Sequence, residues 1–283
     1  MLSLARAQLL RLTRWGADLS CIVAYALCMA LTVGVCLWNP EQYATALMNG
    51  GALSAEEVQL VAQGVAAGIV GVSNVAALGA VLGSNAALAW FTCLVVAYGA
   101  ATDFQTGGIR TVTQLRGGRL SYVPARLLAA LPAMAAFLVM SVVATPIICA
   151  GCGIALGGAP AVEALAWLAQ LLLVTLAYVA LTLLVVVATK SMVASLLGAV
   201  VLATGAAESL LAQLLQLAGV GGILPQLTLG AAQTIRTSSL AGLMEALVGG
   251  HDAGVIGFVV PLSVLALGAG AAVLLMRRRE LGR

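Results

Sequence analysis

Long apolar runs, almost free of polar positions, follow one another along the chain. The clearest are Leu19–Trp38, Leu127–Ala150, Ala164–Thr189 and Gly254–Met276. Each is near or above the roughly 20 residues that a helix needs to cross ~30 Å of hydrocarbon. Because lipid offers the backbone no hydrogen bonds, such segments form helices or a closed barrel. Continuous runs without strict alternation favour helices, so the pattern predicts an all-α, polytopic membrane protein.

The composition supports this prediction. Of the 283 residues, 62% are hydrophobic and 8% are charged, whereas a soluble domain carries about a quarter charged residues. The formal net charge of +3 is too small to indicate a nucleic-acid partner. Three arginines precede the first run, but that run exceeds the roughly 7–15 apolar residues of a signal peptide. We therefore expect it to be an uncleaved span.

The basic residues predict the topology, because Lys and Arg in short loops mark the cytoplasmic side. They lie before Asp18, in the loop Thr102–Arg126, at Lys190 and in the tail after Met276. All of them except Arg236 share one side if the chain crosses six times. We predict one domain, 1–283, with both termini cytoplasmic and spans at about 18–38, 78–101, 127–150, 162–189, 192–215 and 254–276.

The charge rule also decides the hardest stretch, Val58–Ala101. Two spans there would place the arginine-rich loop outside, so we expect a single span and an outer or re-entrant segment at Val58–Ala77. The short Gly-rich stretch Gly151–Pro160 is predicted to be an outer turn. Gly219–Ala253 is predicted to be a broken outer segment. Pro132 and Pro146 are expected to kink the third span.

The sequence gives no argument for an enzyme or for a bound cofactor. Its single histidine, His251, rules out an HExxH metal site, and it has neither a GxxxxGK[ST] nor a GxSxG motif. Cys149-x-x-Cys152 lacks nearby His or acidic partners, so we interpret both as packing residues. Glu208 lies near the outer end of the fifth span. It is either a solvated or locally hydrogen-bonded carboxylate, or a pathway or gating residue.

The loop Thr102–Arg126 is the longest predicted inner loop and the richest in charge. Asp103, or alternatively Thr102, stands where a helix could start. Ile109, Val112 and either Leu115 or Leu120 have partial helical spacing, which indicates a short amphipathic element at the membrane surface. An ordinary positive-inside loop is the alternative that the residues leave open.

This loop resembles that of the ABC-2 family of bacterial ABC-transporter permeases. Asp103-Phe104-x-x-Gly107 matches the first part of the family pattern, and Arg119, Tyr122 and Arg126 match the second part. Gly108 replaces the usual Thr, and Arg126 stands where Lys is common. The resemblance also covers the layout, with six spans, a basic N-terminus and a basic tail.

The resemblance implies a permease subunit in a bacterial cell (inner) membrane that pairs as a dimer and binds a separate ABC ATPase subunit. It would export a hydrophobic or amphipathic substrate, and ATP and magnesium would bind only to the ATPase. A short coupling helix between spans two and three would contact the ATPase. The implied coupling residues are Asp103, Phe104, Gly107, Ile109, Arg110, Val112, Leu115, Arg116, Arg119, Tyr122 and Arg126. The alternative is a membrane-embedded non-transport protein, such as an immunity, assembly or sensor factor.

Overall fold

A computed structural model describes residues 23–31, 71–73, 87–109, 118–151, 155–157, 161–206, 208, 210, 213, 239–248 and 254–278. Apart from two paired segments of three residues, β1 (Gly71–Ser73) and β2 (Ala155–Gly157), the regular elements in these ranges are helices. The main helices are α1 (residues 23–31), α2 (Ala87–Gln105), α3 (Gly118–Gly151), α4 (Ala161–Thr189), α5 (Met192–Ala203), α6 (Leu240–Val248) and α7 (Ile256–Arg278).

Three of the described helices are long and apolar enough to cross a bilayer. They are α4, α7 and the Leu120–Ala150 part of α3. Large apolar side chains on α3 and α7 stay exposed, including Val139, Ile147, Val259 and Leu267. An apolar surface of this extent suits a lipid environment and not water. The chain is therefore a helical membrane protein, as the sequence predicts. The total of six membrane spans stays a prediction.

The third, fourth and sixth predicted spans coincide with α3, α4 and α7, although α3 begins earlier than expected, at Gly118. The helix continues through Pro124, Pro132 and Pro146. Helix α2 ends at Gln105, later than the predicted span 78–101, and residues 74–86 lie outside the described ranges. These shifts lengthen the helices at the expense of the loop between α2 and α3.

The predicted fifth span, 192–215, is interrupted by a turn in the structure. Helix α5 ends at Ala203, and Thr204 and Gly205 form a turn. Gly205 has a φ of +67°, a left-handed conformation that only glycine adopts without strain. A Cβ atom there would also lie 2.8 Å from the Cβ of Ala241. The glycine at this break therefore allows α6 to pack closely against the turn.

Helix α4 is the centre of the bundle and contacts α2, α3, α5, α6 and α7. It is the most buried of the three long helices, and α7 is the least buried. Helices α4 and α5 are joined only by Lys190 and Ser191, and Ser191 caps α5 by accepting a hydrogen bond from the amide of Ala194. Gly198 lets α5 come close to α4, because a Cβ there would lie 2.7 Å from Val185 Cγ1.

The helix ends fall into two groups at opposite ends of the bundle. With 34 residues, α3 is about 50 Å long. The link 152–160 reaches at most about 30 Å, so α4 begins near the end of α3. The parallel pairing of β1 with β2 places residues 71–73 at this same end. Residues 71–73 of the predicted outer segment Val58–Ala77 therefore lie at the same end as residues 155–157 of the predicted outer turn Gly151–Pro160, and the outer position of both segments stays a prediction.

Candidate coupling site at the junction of α2 and α3

An ion pair joins the end of α2 to the beginning of α3. The Arg126 guanidinium on α3 donates from Nη2 to the Asp103 carboxylate on α2. The same nitrogen donates to the backbone carbonyl of Gly99 at 2.8 Å. The Tyr122 hydroxyl donates to Asp103 Oδ2 at 3.1 Å. Three side chains and one carbonyl thus form a single polar cluster, which we call the α2–α3 joint.

The joint is buried. Asp103 is 3% exposed, Arg126 is 6% exposed and Tyr122 is fully buried. Removing two charges from water is costly, and the cost is offset only when their geometry and their remaining hydrogen bonds are good. Here the carboxylate accepts from both Tyr122 and Arg126. Loss of either charged partner would leave the other charge buried without compensation.

Aromatic contacts surround the charged pair. The Arg126 guanidinium carbon lies 5.8 Å from the centre of the Tyr122 ring. The rings of Phe104 and Tyr122 meet edge to face, with centroids 6.4 Å apart. The first contact lies within the distance of a cation–π interaction. The second is an edge-to-face arrangement, which aromatic pairs prefer. They restrict the rotamers of the side chains that form the ion pair.

Gly99 gives Arg126 its place against α2. A Cβ atom at Gly99 would lie 3.0 Å from Arg126 Nη1. The guanidinium therefore lies across the backbone of α2, one turn before Asp103. Gly99 is not among the residues that the sequence predicts for this site. The signal in the sequence is that Gly99 lies four residues before Asp103, an acidic residue at the end of an apolar run. Residues four apart share a helix face.

The expected helix start at Asp103 or Thr102 is wrong, because both residues belong to the last turn of α2. The Thr102 hydroxyl donates to the carbonyls of Tyr98 and Gly99, as an interior helical threonine does. The helix ends only beyond Gln105, where Gly107 has a φ of +72°. Helical structure resumes at Gly108, so glycine in place of the family threonine does not prevent it.

The joint unites three of the predicted coupling residues, Asp103, Tyr122 and Arg126, and Phe104 packs against the Tyr122 ring. Ile109 is only 4% exposed and packs into the core, and its role as an apolar contact for a partner stays a prediction. Arg119 lies in the first turn of α3. The remaining predicted residues lie outside the described ranges: Arg110, Val112, Leu115 and Arg116.

The exposed charged side chains in the described ranges separate by sign between the two ends of the bundle. Lys190, Arg277 and Arg278 are exposed at the end that carries the α2–α3 joint. The position of Arg277 and Arg278 follows from the direction of α7, which runs alongside α4 in the same sense. Helix α7 begins near Gln170, whose amide donates to the Gly254 carbonyl at 3.1 Å, and further along Gly268 lies next to Ala180. Glu163, in the first turn of α4, lies at the opposite end.

Glu208 holds the beginning of α6. Its Oε2 accepts a hydrogen bond from the amide of Ala241 at 2.9 Å, and the Ser239 hydroxyl accepts one from the amide of Gly242 at 3.2 Å. The other end of α6 is held by the Trp167 indole, which donates to the Leu247 carbonyl at 2.7 Å. Glu208 is thus a locally hydrogen-bonded carboxylate, which is one of the two alternatives that the sequence leaves open. A gating role for it stays a prediction.

Among the described residues, no group of His, Cys, Asp and Glu side chains is placed to hold a metal ion. Cys149 is buried in α3, and Cys152 lies outside the described ranges. The chain matches no model of a known protein family and no curated protein.

Proposed function

We propose that this chain is the permease subunit of an ABC-type exporter, with the loop between α2 and α3 as the docking element for a separate ATPase. The observation that carries the proposal is the α2–α3 joint. It fastens together the two helices on either side of residues 106–117, a segment that carries Arg110 and Arg116. A partner that moves this loop would therefore act on two membrane helices at once.

The charge separation supports a cytoplasmic position for this end of the bundle. Exposed Lys190, Arg277 and Arg278 share it with the arginine-rich loop. Basic residues concentrate on the cytoplasmic side of short loops, which is where an ATPase has access to ATP. Under this proposal both termini are cytoplasmic, the chain crosses the bacterial inner membrane six times, and ATP and magnesium bind only to the partner.

The loop offers arginines for ion pairs and apolar side chains for packing. Complementary charge steers a partner and fixes its register, while apolar side chains supply contact area. Since Ile109 is buried, the apolar contacts of the proposal come from Val112 and Leu115. The predicted spans consist mainly of Ala, Leu, Val and Gly, which favours a hydrophobic or amphipathic substrate. A second copy of the permease would complete the transport pathway.

Co-purification from native membranes tests this proposal. A tagged wild-type chain is expected to bring down a soluble protein that carries a GxxxxGK[ST] peptide and hydrolyses ATP. The double variant Val112→Asp/Leu115→Asp should lose that protein, and Gln114→Asp, in the same loop but off the apolar positions, should retain it. Absence of any ATPase from a folded wild-type preparation would contradict the proposal and favour the non-transport alternative.

A further inference from the structure

Arg126 connects two successive turns of α2 through a single nitrogen. Its Nη2 donates to the Asp103 carboxylate and to the carbonyl of Gly99, four residues earlier. Tyr122 lies four residues before Arg126, on the same face of α3, and donates to the same carboxylate. Two turns of α3 thus hold two turns of α2. Such a contact resists both sliding and rotation of one helix against the other.

Glycines lie next to the joint on both sides. Gly107 has a φ of +72° with nothing within 4 Å of where its Cβ would be. On the other side, Gly118 is the first residue of α3 and Gly117 precedes it in the sequence. Glycine has the widest backbone freedom of any residue. The joint is formed entirely by residues of α2 and α3, so a displacement of the segment between these glycines reaches both helices through it.

From this arrangement we infer that the α2–α3 joint makes the two helices move as one body when the loop is displaced. Asp103, Tyr122 and Arg126 are then positioning residues that transmit the displacement and bind neither nucleotide nor substrate. This inference rests on the proposed function. Weakening the joint should leave ATPase binding and hydrolysis in place, while α2 and α3 lose their common movement.

Distances between spin labels test the inference in the purified permease–ATPase complex in nanodiscs. Labels attached to a ketone-bearing amino acid avoid the native cysteines. The exposed positions Gln105 on α2 and Leu128 on α3 report on the joint, and Gln105 with Val193 on α5 reports on movement against the rest of the bundle. In wild type, the 105–128 distance should be the same in the nucleotide-free and ADP-vanadate states, while the 105–193 distance changes.

Three variants complete the test. In Asp103→Asn, the 105–128 distribution should broaden and become dependent on nucleotide, with hydrolysis retained. Tyr122→Phe, which keeps the ring and removes one hydrogen bond, should show a smaller effect of the same kind. It keeps the test valid if Asp103→Asn does not fold. Arg126→Lys, which keeps the charge, should stay closer to wild type than Asp103→Asn. Glu163→Gln at the opposite end is the control and should behave as wild type.

A wild-type 105–128 distance that changes with nucleotide would overturn the inference, as would a narrow, nucleotide-independent distance in both Asp103→Asn and Tyr122→Phe. Failure of the proposed function gives a different result. In that case no ATPase would accompany the wild-type chain, and neither distance would respond to ADP-vanadate.

Discussion

Arg126 donates a hydrogen bond to the carboxylate of Asp103 from 23 residues further along the chain. The two side chains lie on different helices and are both buried. In a helix bundle with so few charges, a buried pair has two consequences. It fixes the register of α2 against α3, and it makes each charge dependent on the other.

A double-mutant cycle should reveal that dependence. Asp103→Asn and Arg126→Gln are each expected to lower the free energy of unfolding in detergent by about 3–5 kcal/mol, because each leaves one buried charge without its partner. The double variant should lose less than the sum of the two single losses. Urea or thermal unfolding followed by circular dichroism measures all four proteins. Additive losses would show that the two side chains do not interact.

A side chain at Gly99 should displace the Arg126 guanidinium. Gly99→Val places its Cβ 3.0 Å from Arg126 Nη1, and we expect a loss of about 1–3 kcal/mol in stability from overpacking. Gly270→Val is the matched control, because Gly270 is helical and exposed and its Cβ would meet nothing within 4 Å. The control should be neutral or slightly stabilising, since valine favours a helix more than glycine does. Equal stability of the two variants would refute the placement of Arg126.

The break after α5 allows backbone strain to be separated from close packing. Gly205 and Gly254 have similar left-handed φ values of +67° and +59°. Alanine at either position should cost about 1–2 kcal/mol for that conformation alone. Gly205→Ala should cost more, because its Cβ would lie 2.8 Å from that of Ala241, whereas Gly254→Ala meets nothing within 4 Å. Thermal unfolding of the two variants side by side measures the difference. Equal losses would mean that α6 does not pack against this turn.

Glu208 should hold the beginning of α6 through an acceptor oxygen. Glu208→Ala removes the acceptor for the Ala241 amide, and loss of a comparable capping side chain costs about 1 kcal/mol. Amide hydrogen exchange in residues 240–248 should accelerate in this variant. Glu208→Gln keeps an oxygen in place and should retain most of the protection. If exchange in α6 were unaffected by Glu208→Ala, the carboxylate would not be what holds this helix.

The sequence predicts the long apolar helices that a bilayer requires. It predicts less well where a helix ends or turns, because backbone geometry and tertiary contacts determine those points. Apolar runs suffice for α3, α4 and α7, because a span of that length has little choice of structure in a bilayer. The end of α2 was placed too early, since a polar Asp103 looks like a helix boundary when its partner Arg126 is not visible in the sequence. A helical run likewise does not reveal that Gly205 adopts a left-handed conformation.

The joint itself was predicted only in part. Asp103, Tyr122 and Arg126 stood out by residue type and position, but their mutual contact depends on how α2 and α3 lie against each other. Gly99 matters only through that contact. Ile109 had the spacing of an exposed apolar residue, yet it packs into the core. Periodicity identifies an apolar face and cannot tell which partner will cover it.

We propose that the end of the bundle with the α2–α3 joint meets an ATPase in the cytoplasm. Photocrosslinking in living cells tests this directly, with a benzophenone amino acid at the exposed Gln105 and, as the matched control, at the exposed Val162 on α4. We expect a crosslink from position 105, but not from position 162, to a soluble protein whose peptides include a GxxxxGK[ST] sequence. A crosslink to such a protein from position 162, or none from position 105 in a folded chain, would contradict it.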